Sequence, residues 1–359
     1  MWNSVEALEE NIFLGTSPEF ELCAYTICAL TKNGDGICDY THKGDPISIH
    51  IKTVNNGSLR ILKAFPSIDH GDDGGNGGNG GNSGGSTASP GGNGGDGSKM
   101  QQLVDKMYAV DTDRPSSNEQ KLNWGNKVEG DEDASPNPLF SYVNETIFQR
   151  PVYQKLIDMY NRDLFTADVC EAEPEMAGFR KQILTDVMKT FTATPMFQAA
   201  FQYLQDEGVV QKSLDDFLPE LFTLWFGTYS RCHGAKGSSG WEHVFLGEWK
   251  GSTVDGQHDW VRYYLLEKAG KINYHGYDNY DGNLTGTFQY TWESYLKKVG
   301  GFLIHTSPAF DFSLFTACVY THPGKNGCHF QIEGYNLGVT SYKQSCDDGT
   351  CLSTSYPTN

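Results

Sequence analysis

Two histidines, His243 and His258, lie fifteen residues apart in the apolar, aromatic stretch GWEHVFLGEWKGSTVDGQHDWVRYY, residues 240–264. Histidine is the side chain whose charge changes most readily near neutral pH. A pair of imidazoles at one reacting bond supplies a proton acceptor and a proton donor. One histidine in apolar surroundings is ordinarily structural, but two in one short stretch, flanked by Glu242 and Glu248, point to chemistry. Gly256 lies two residues before His258, where a backbone N–H can approach an anion closely. Trp241, Phe245, Trp260, Tyr263 and Tyr264 are expected to wall the site. Zinc is the poorer alternative, because no third ligand stands at normal spacing and there is no Cys-x-x-Cys motif. No serine or cysteine stands out beside the histidines as a nucleophile, which argues against a protease.

The elements that must position these residues change character along the chain. Between about 101 and 231 apolar residues recur at three- and four-residue spacing, which predicts helices over 151–161, 178–192 and 216–229. Proline is tolerated in a first helical turn, so Pro219 favours Asp216 over Ser213 as the N-cap of the last of these. From Trp241 the pattern becomes strand-like, over 241–249, 258–267 and 285–292, which places the two histidines on neighbouring strands. Ser307-Pro308 reads as the N-cap and first residue of a short helix, and a final hairpin spans about 329–357. Helices followed by strands predict an α+β fold with antiparallel sheets.

The 359 residues suit one large domain or two ordinary ones, and no run approaches the length of a membrane span. The acidic start MWNSVEALEENIF does not have the form of a signal peptide. A net charge of −18 provides no general footprint for nucleic acid. A nucleic-acid substrate would need a local basic patch or a bridging divalent cation; otherwise the charge serves solubility. Nine cysteines are present. An Asp348-Gly349 turn would set Cys346 directly opposite Cys351 at a non-hydrogen-bonded pair, a position that accepts a disulfide. Sequons at Asn56, Asn144 and Asn283 are also compatible with secretion, the favoured location, with the cytoplasm as the alternative.

Residues 71–98 are almost all Gly, Asn, Ser and Asp and read as a flexible linker. The pieces on either side are related. FLGTSPEFELCAYTICALTKNGDGIC, residues 13–38, aligns without a gap onto LIHTSPAFDFSLFTACVYTHPGKNGC, residues 303–328, at a constant offset of 290. Cys28 and Cys38 thereby match Cys318 and Cys328, and all four join Cys346 and Cys351 as disulfide candidates. Nothing in residues 1–68 corresponds to the region of His243 and His258. Residues 1–68 are therefore read as the tail of a preceding domain, 69–99 as linker and 100–359 as a complete domain.

SSGWEHVFLGEW, GQHDWVRYYLLEKAGKINYHGY and TWESYLKKVGGFLIHTSPAF, with LFTLWFGTYSR before them and Ser355-Tyr356-Pro357 at the close, resemble the EndoU family. These are endoribonucleases that cut preferentially at uridine. The resemblance covers roughly residues 101–357 and implies a helical lobe followed by two antiparallel sheets that form the catalytic region. It implies His243, His258 and Lys297 as the catalytic set, with Lys298 standing where a proline is common. His258 would be the base that frees the ribose 2′-OH, and His243 the acid that protonates the departing 5′-oxygen. Lys297 and the Gly256 N–H would stabilise the phosphoryl oxygens, and the product would be a 2′,3′-cyclic phosphate. Tyr356 falls on the family's base-binding tyrosine. Gly301-Phe302 replaces serines usual after the Lys-x-Val-Gly stretch, which leaves Ser307 and Thr306 as substitutes and implies a weaker uridine preference. Glu242 and Glu248 match carboxylates that orient His243 or hold a divalent ion, and Mn2+ or Ca2+ is the implied cofactor. The implied partner is single-stranded RNA, not DNA, and a monomer is expected. An RNA-binding protein of this fold without cleavage, or an extracellular interaction module, are the competing readings.

Overall fold

Short apolar segments in the first part of the chain are closed by a disulfide. In this computed structural model, which describes residues 18–32, 36–42, 45–55, 59–67 and 96–359, helix α1 (Pro18–Lys32) precedes three antiparallel strands. These are β1 (Gly36–His42), β2 (Asp45–Asn55) and β3 (Leu59–Ser67), in the order β1-β2-β3. Cys28 and Cys38 are bonded, and Cys28, Ala29, Ile49 and Ile51 form a small buried cluster. Most of the Gly-rich stretch and the Asn56 sequon lie outside the described residues. The chain divides into two compact units, residues 1–90 and 91–359.

In the second unit the helical spacing becomes a helical layer. It contains α2 (Asp96–Val110), the short strands β4 (Gln120–Leu122) and β5 (Phe140–Val143), and then α3 (Pro151–Tyr160), α4 (Gly178–Thr192), α5 (Pro195–Asp206) and α6 (Leu214–Phe226). The α6 cap is Ser213, whose hydroxyl accepts from the Asp216 N–H, so Asp216 lies inside the helix. Ser213 Oγ also bonds the Asp216 carboxylate at 2.5 Å, and this reciprocal cap outweighs the hydrogen bond that Pro219 cannot make.

Next come β6 (Thr228–Tyr229), β7 (Ser238–Ser239), β8 (Glu248–Lys250), β9 (Thr253–Asp255), α7 (Trp260–Lys268), β10 (Ile272–Asp281), β11 (Thr285–Trp292) and β12 (Tyr295–Gly300). Five of these strands form a sheet in the order β10-β11-β12-β9-β8, antiparallel except for the β9–β12 pair. Helix α8 (Pro308–Thr321) then precedes the three-stranded antiparallel sheet β13 (Gly324–Ile332), β14 (Tyr335–Cys346) and β15 (Gly349–Thr358). The α+β class and its antiparallel sheets are thus present. Helix α8 is buried from Pro308 to Val319, packing against α2, α3, α4, α5 and all three strands of the sheet that follows it. Trp225, Trp241 and Phe245 cluster against its Phe312, and the Trp225 indole N–H donates to Thr316 Oγ1 at 3.0 Å. Full burial of each such aromatic side chain stabilises by about 1.5–3 kcal/mol.

Two predicted strands are absent. Residues Glu242–Leu246 form one π-helical turn, and Trp260–Lys268 is helix α7, capped by Asp259 accepting from the Arg262 N–H at 2.8 Å. Both segments are buried on nearly every side, so apolar residues show no single-face period, and aromatic content imitates a strand. The last hairpin also differs in register. Cys346 pairs with Gly349 and Gln344 with Cys351, so the turn is Asp347-Asp348 and the Cys346–Cys351 disulfide is diagonal rather than directly across. Cys318–Cys328 is bonded as well, and a fourth bridge, Cys170–Cys232, joins two loops.

Candidate active site

The backbone brings the two histidines together. The π-helical turn closes through a 2.8 Å bond from the Gly247 N–H to the Glu242 carbonyl. The His243 carbonyl then accepts from the Gln257 N–H at 2.7 Å, and the Val244 carbonyl accepts from the His258 N–H at 2.6 Å. Gly256 permits this approach: at φ +64°, a Cβ there would lie 2.0 Å from the His243 carbonyl oxygen. The two imidazole centroids end 5.7 Å apart.

Each ring is oriented through Nδ1. His258 Nδ1 lies 2.8 Å from the Gly301 carbonyl oxygen, which can only accept, so Nδ1 carries the proton and Nε2 keeps its lone pair. His243 Nδ1 lies 2.9 Å from Glu248 Oε1. The same oxygen accepts from Ser238 Oγ at 3.0 Å and pairs with Arg231 Nε at 3.0 Å. Lys297 Nζ donates to the Gly256 carbonyl at 2.8 Å. The Tyr356 ring stacks on His258 at 5.1 Å with an interplanar angle of 25°. His243, His258, Lys297, Gly256 and Tyr356 line one open pocket of about 470 Å3, together with Arg231, Asp255, Thr287, Thr354 and Asn359.

Burial sets the charge states. It drives His243 well below the ordinary 6.5, helped by Arg231 and Lys297, and it drives His258 down, helped by Lys297 and His243. Burial pushes Glu248 up to about 8 and Lys297 down to about 8, the latter held up by Asp255 and Glu248. Asp255 is held low despite its burial by His243, Arg231 and Lys297. Burial thus biases both histidines toward the neutral form, beside the side-chain cations Arg231 and Lys297 in one pocket.

The chain is similar to known proteins across this same region. A sequence profile described as Endoribonuclease XendoU matches residues 99–357. The chain belongs to the XendoU family. Similar proteins include a mouse uridylate-specific endoribonuclease, 35% identical over 262 residues, which cover 68% of this chain and 60% of that protein. Another is the Xenopus laevis uridylate-specific endoribonuclease D, 33% identical over 263 residues, covering 68% and 84%. The chain thus spans about 60% of the length of the mouse relative. The solved structure of XendoU, described as a splicing independent snoRNA processing endoribonuclease, superposes with a TM-score of 0.61 at 24% identity. It covers 72% of this chain and 96% of that one, and it shows the shared fold.

Within this XendoU-family fold several expectations need correction. Ser307 and Thr306 are fully buried and lie outside the pocket. The Ser307 hydroxyl caps α8 by accepting from the Phe310 N–H, and Thr306 donates to Asp311 at 2.7 Å. The Gly256 N–H, expected to face a phosphate, bonds Asp255 Oδ1 at 3.2 Å, so Gly256 contributes its carbonyl to Lys297 instead. Trp241, Phe245, Trp260, Tyr263 and Tyr264 belong to the core rather than the pocket wall. Lys298 is exposed and pairs with Asp131 at 2.6 Å. Glu242 lies behind the turn, and among the described residues neither of its carboxylate oxygens has a hydrogen-bond partner.

Arg231, Asp255, Thr287, Thr354 and Asn359 escaped the sequence reading. Arg231 is held by the Tyr229 hydroxyl at 2.8 Å, the Ser353 carbonyl, Ser238 and Glu248. Its partners come from four places in the chain, so nothing local to Tyr-Ser-Arg-Cys marks it.

Proposed function

We propose that the chain is an endoribonuclease that cleaves single-stranded RNA preferentially at uridine, leaving 2′,3′-cyclic phosphate ends. The observation that carries this reading is the pairing of a His258 whose Nε2 is free to accept with a His243 backed by Glu248, in one pocket with Lys297. The relatives' names, uridylate-specific endoribonuclease, support the substrate class.

His258 Nε2 takes the proton of the ribose 2′-OH, whose oxygen attacks the adjacent phosphorus. The bond to the 5′-oxygen breaks as His243 delivers a proton to it. Lys297 and Arg231 stabilise the charge on the phosphoryl oxygens. The nucleophile is the substrate's own hydroxyl, so no water is needed to form the cyclic product. Tyr356, half-buried in the pocket wall, offers an aromatic surface for the base, a contact worth about 1–3 kcal/mol. Phe302 is in the core and the Gly301 carbonyl is engaged by His258, so side-chain reading of the base edge falls to Thr287, Thr354 and Asn359. The Thr354 hydroxyl is buried and has no partner among the described residues.

His243, Glu248 and Asp255 offer donor atoms within 4.8 Å of one another. His243 Nδ1 is engaged, but Glu248 Oε2 is buried without a donor among the described residues, and two carboxylates suit a hard divalent cation. A bound Mn2+ or Ca2+ would be held by Glu248 and Asp255, and would supply positive charge where the acidic chain meets a polyanion. Four disulfides favour an oxidising compartment, and hence secretion, as the place of action. Residues 18–67 repeat the order of α8 and β13–β15, including the bridge between cysteines ten residues apart, and are read as a partial second copy without the histidines.

The test is cleavage of a uridine-rich RNA oligomer with Mn2+ present, by the parent and by His243→Ala and His258→Ala. Loss of at least about 100-fold is expected in each variant. Undiminished cleavage in either removes that histidine from its assigned role. RNA binding without cleavage by the parent would leave a binding protein of the same fold.

A further inference from the structure

Two serines, Ser238 and Ser239, precede the π-helical turn in the stretch SSGWEHVFLGEW. Both residues are 0% exposed, and buried hydroxyls need partners. They form β7, which pairs with β6 as Thr228 with Ser239 and Tyr229 with Ser238. Successive side chains on a strand point to opposite faces, and the two hydroxyls part accordingly. Ser239 Oγ accepts from the Glu242 N–H at 3.2 Å, at the start of the π-helical turn. Ser238 Oγ turns to Glu248 and donates to its Oε1 at 3.0 Å.

The neighbours of Ser238 fix the direction of that bond. Arg231 Nε can only donate, and it donates to Ser238 Oγ at 2.9 Å. The serine oxygen therefore accepts on one side, and its own hydrogen goes to Glu248. Glu248 Oε1 also lies 2.9 Å from His243 Nδ1. An oxygen that already accepts from a hydroxyl faces Nδ1 as an acceptor, so Nδ1 carries a proton and the proton to be transferred rides on Nε2. Contacts thus run from Arg231 through Ser238 and Glu248 to His243. The backbone holds both ends of the Ser238–Glu248 bond. A Cβ on Gly237 would lie 2.1 Å from the Glu171 carbonyl oxygen, so glycine lets β7 close onto the loop between α3 and α4. Glu248 opens β8 and is paired there with Asp255 of β9.

We infer that Ser238 is a positioning residue, whose hydrogen bond keeps Glu248 Oε1 aimed at His243 Nδ1 and so sets His243 as the acid at the departing 5′-oxygen. In the step it serves, the bond from phosphorus to the 5′-oxygen breaks, and the proton on His243 Nε2 goes to that oxygen. Ser238 lies outside the pocket; it acts through Glu248. The inference rests on the endoribonuclease reading.

The test is single-turnover cleavage of two uridine-containing RNA oligomers by the full chain with Mn2+ present. One oligomer has the natural 5′-oxygen at the cleavage position. The other has sulfur in its place, and a thiolate leaves without needing a proton. Ser238→Ala is expected to cut the oxygen oligomer about 10- to 100-fold more slowly than the parent. It is expected to cut the sulfur oligomer within about threefold of the parent, because that step needs no acid. A parental rate on the oxygen oligomer, or an equal loss on both, overturns the inference. The equal loss is what a merely structural role would give, since a misplaced backbone slows both reactions. His243→Ala, run beside it, should be rescued by sulfur as well. Without that rescue His243 is not the acid, and the inference falls with that assignment. If thermal melts show that Ser238→Ala does not fold, Ser238→Cys carries the same comparison, because its thiol fills the site but donates weakly. A parent that cuts neither oligomer would instead count against the endoribonuclease reading.

Discussion

The two histidines differ in what their Nδ1 atoms meet, and the proposed roles follow that difference. A carbonyl behind His258 fixes the neutral tautomer of a base, whereas the Glu248 carboxyl behind His243, once ionised, would support the imidazolium of an acid. Burial and the neighbouring cations depress both rings. The profile of kcat/KM reports the free enzyme. His258, with its depressed value, stays neutral and competent below 6.5, so the acid limb lies below that value. His243, also depressed, loses its proton early, so the alkaline limb moves down too. The expected result is a bell centred on the acid side of neutrality, with the limbs of kcat displaced upward because bound phosphate favours the imidazolium. A kcat/KM bell centred on the alkaline side would contradict this electrostatic account. His243, His258, Lys297 and Tyr356 were legible in the sequence through the resemblance. Arg231 was not, because its meaning lies in contacts with distant residues.

The elements that hold the site were the least legible part. The helical layer announces itself because α3, α4 and α6 each keep an exposed side, which gives apolar residues a period. The π-helical turn and α7 have almost none, so Trp-Glu-His-Val-Phe and Trp-Val-Arg-Tyr-Tyr look like strands. One local clue was present at α7: Asp259 before Trp260 is a good cap. Asp259 is fully buried, accepts from the Arg262 N–H and takes the Tyr160 hydroxyl at 2.8 Å. Asp259→Ala therefore removes a cap and a buried hydrogen bond together, and urea denaturation should show a loss of about 1–3 kcal/mol. A loss within about 0.5 kcal/mol, the range of surface substitutions, would mean that α7 is held by packing alone.

At the scale of the whole molecule, a chain of net charge −18 concentrates Arg231 and Lys297 at one pocket. A polyanion is repelled by most of the surface and attracted to that place. The repeat at offset 290 extends from sequence to architecture, since α1 with β1–β3 follows the same element order and sheet order as α8 with β13–β15. Only the second unit contains the histidine pair, so one active site is expected per chain. The central claim is that the ribose 2′-OH, deprotonated by His258, is the nucleophile. It is tested most directly by offering the full chain two RNA oligomers identical except for a single 2′-deoxyuridine at the cleavage position, and analysing the ends formed. The account predicts a 2′,3′-cyclic phosphate and a 5′-hydroxyl from the all-ribose oligomer, and no cut at the deoxy position. Cleavage there, or a 5′-phosphate at the new end, would contradict it.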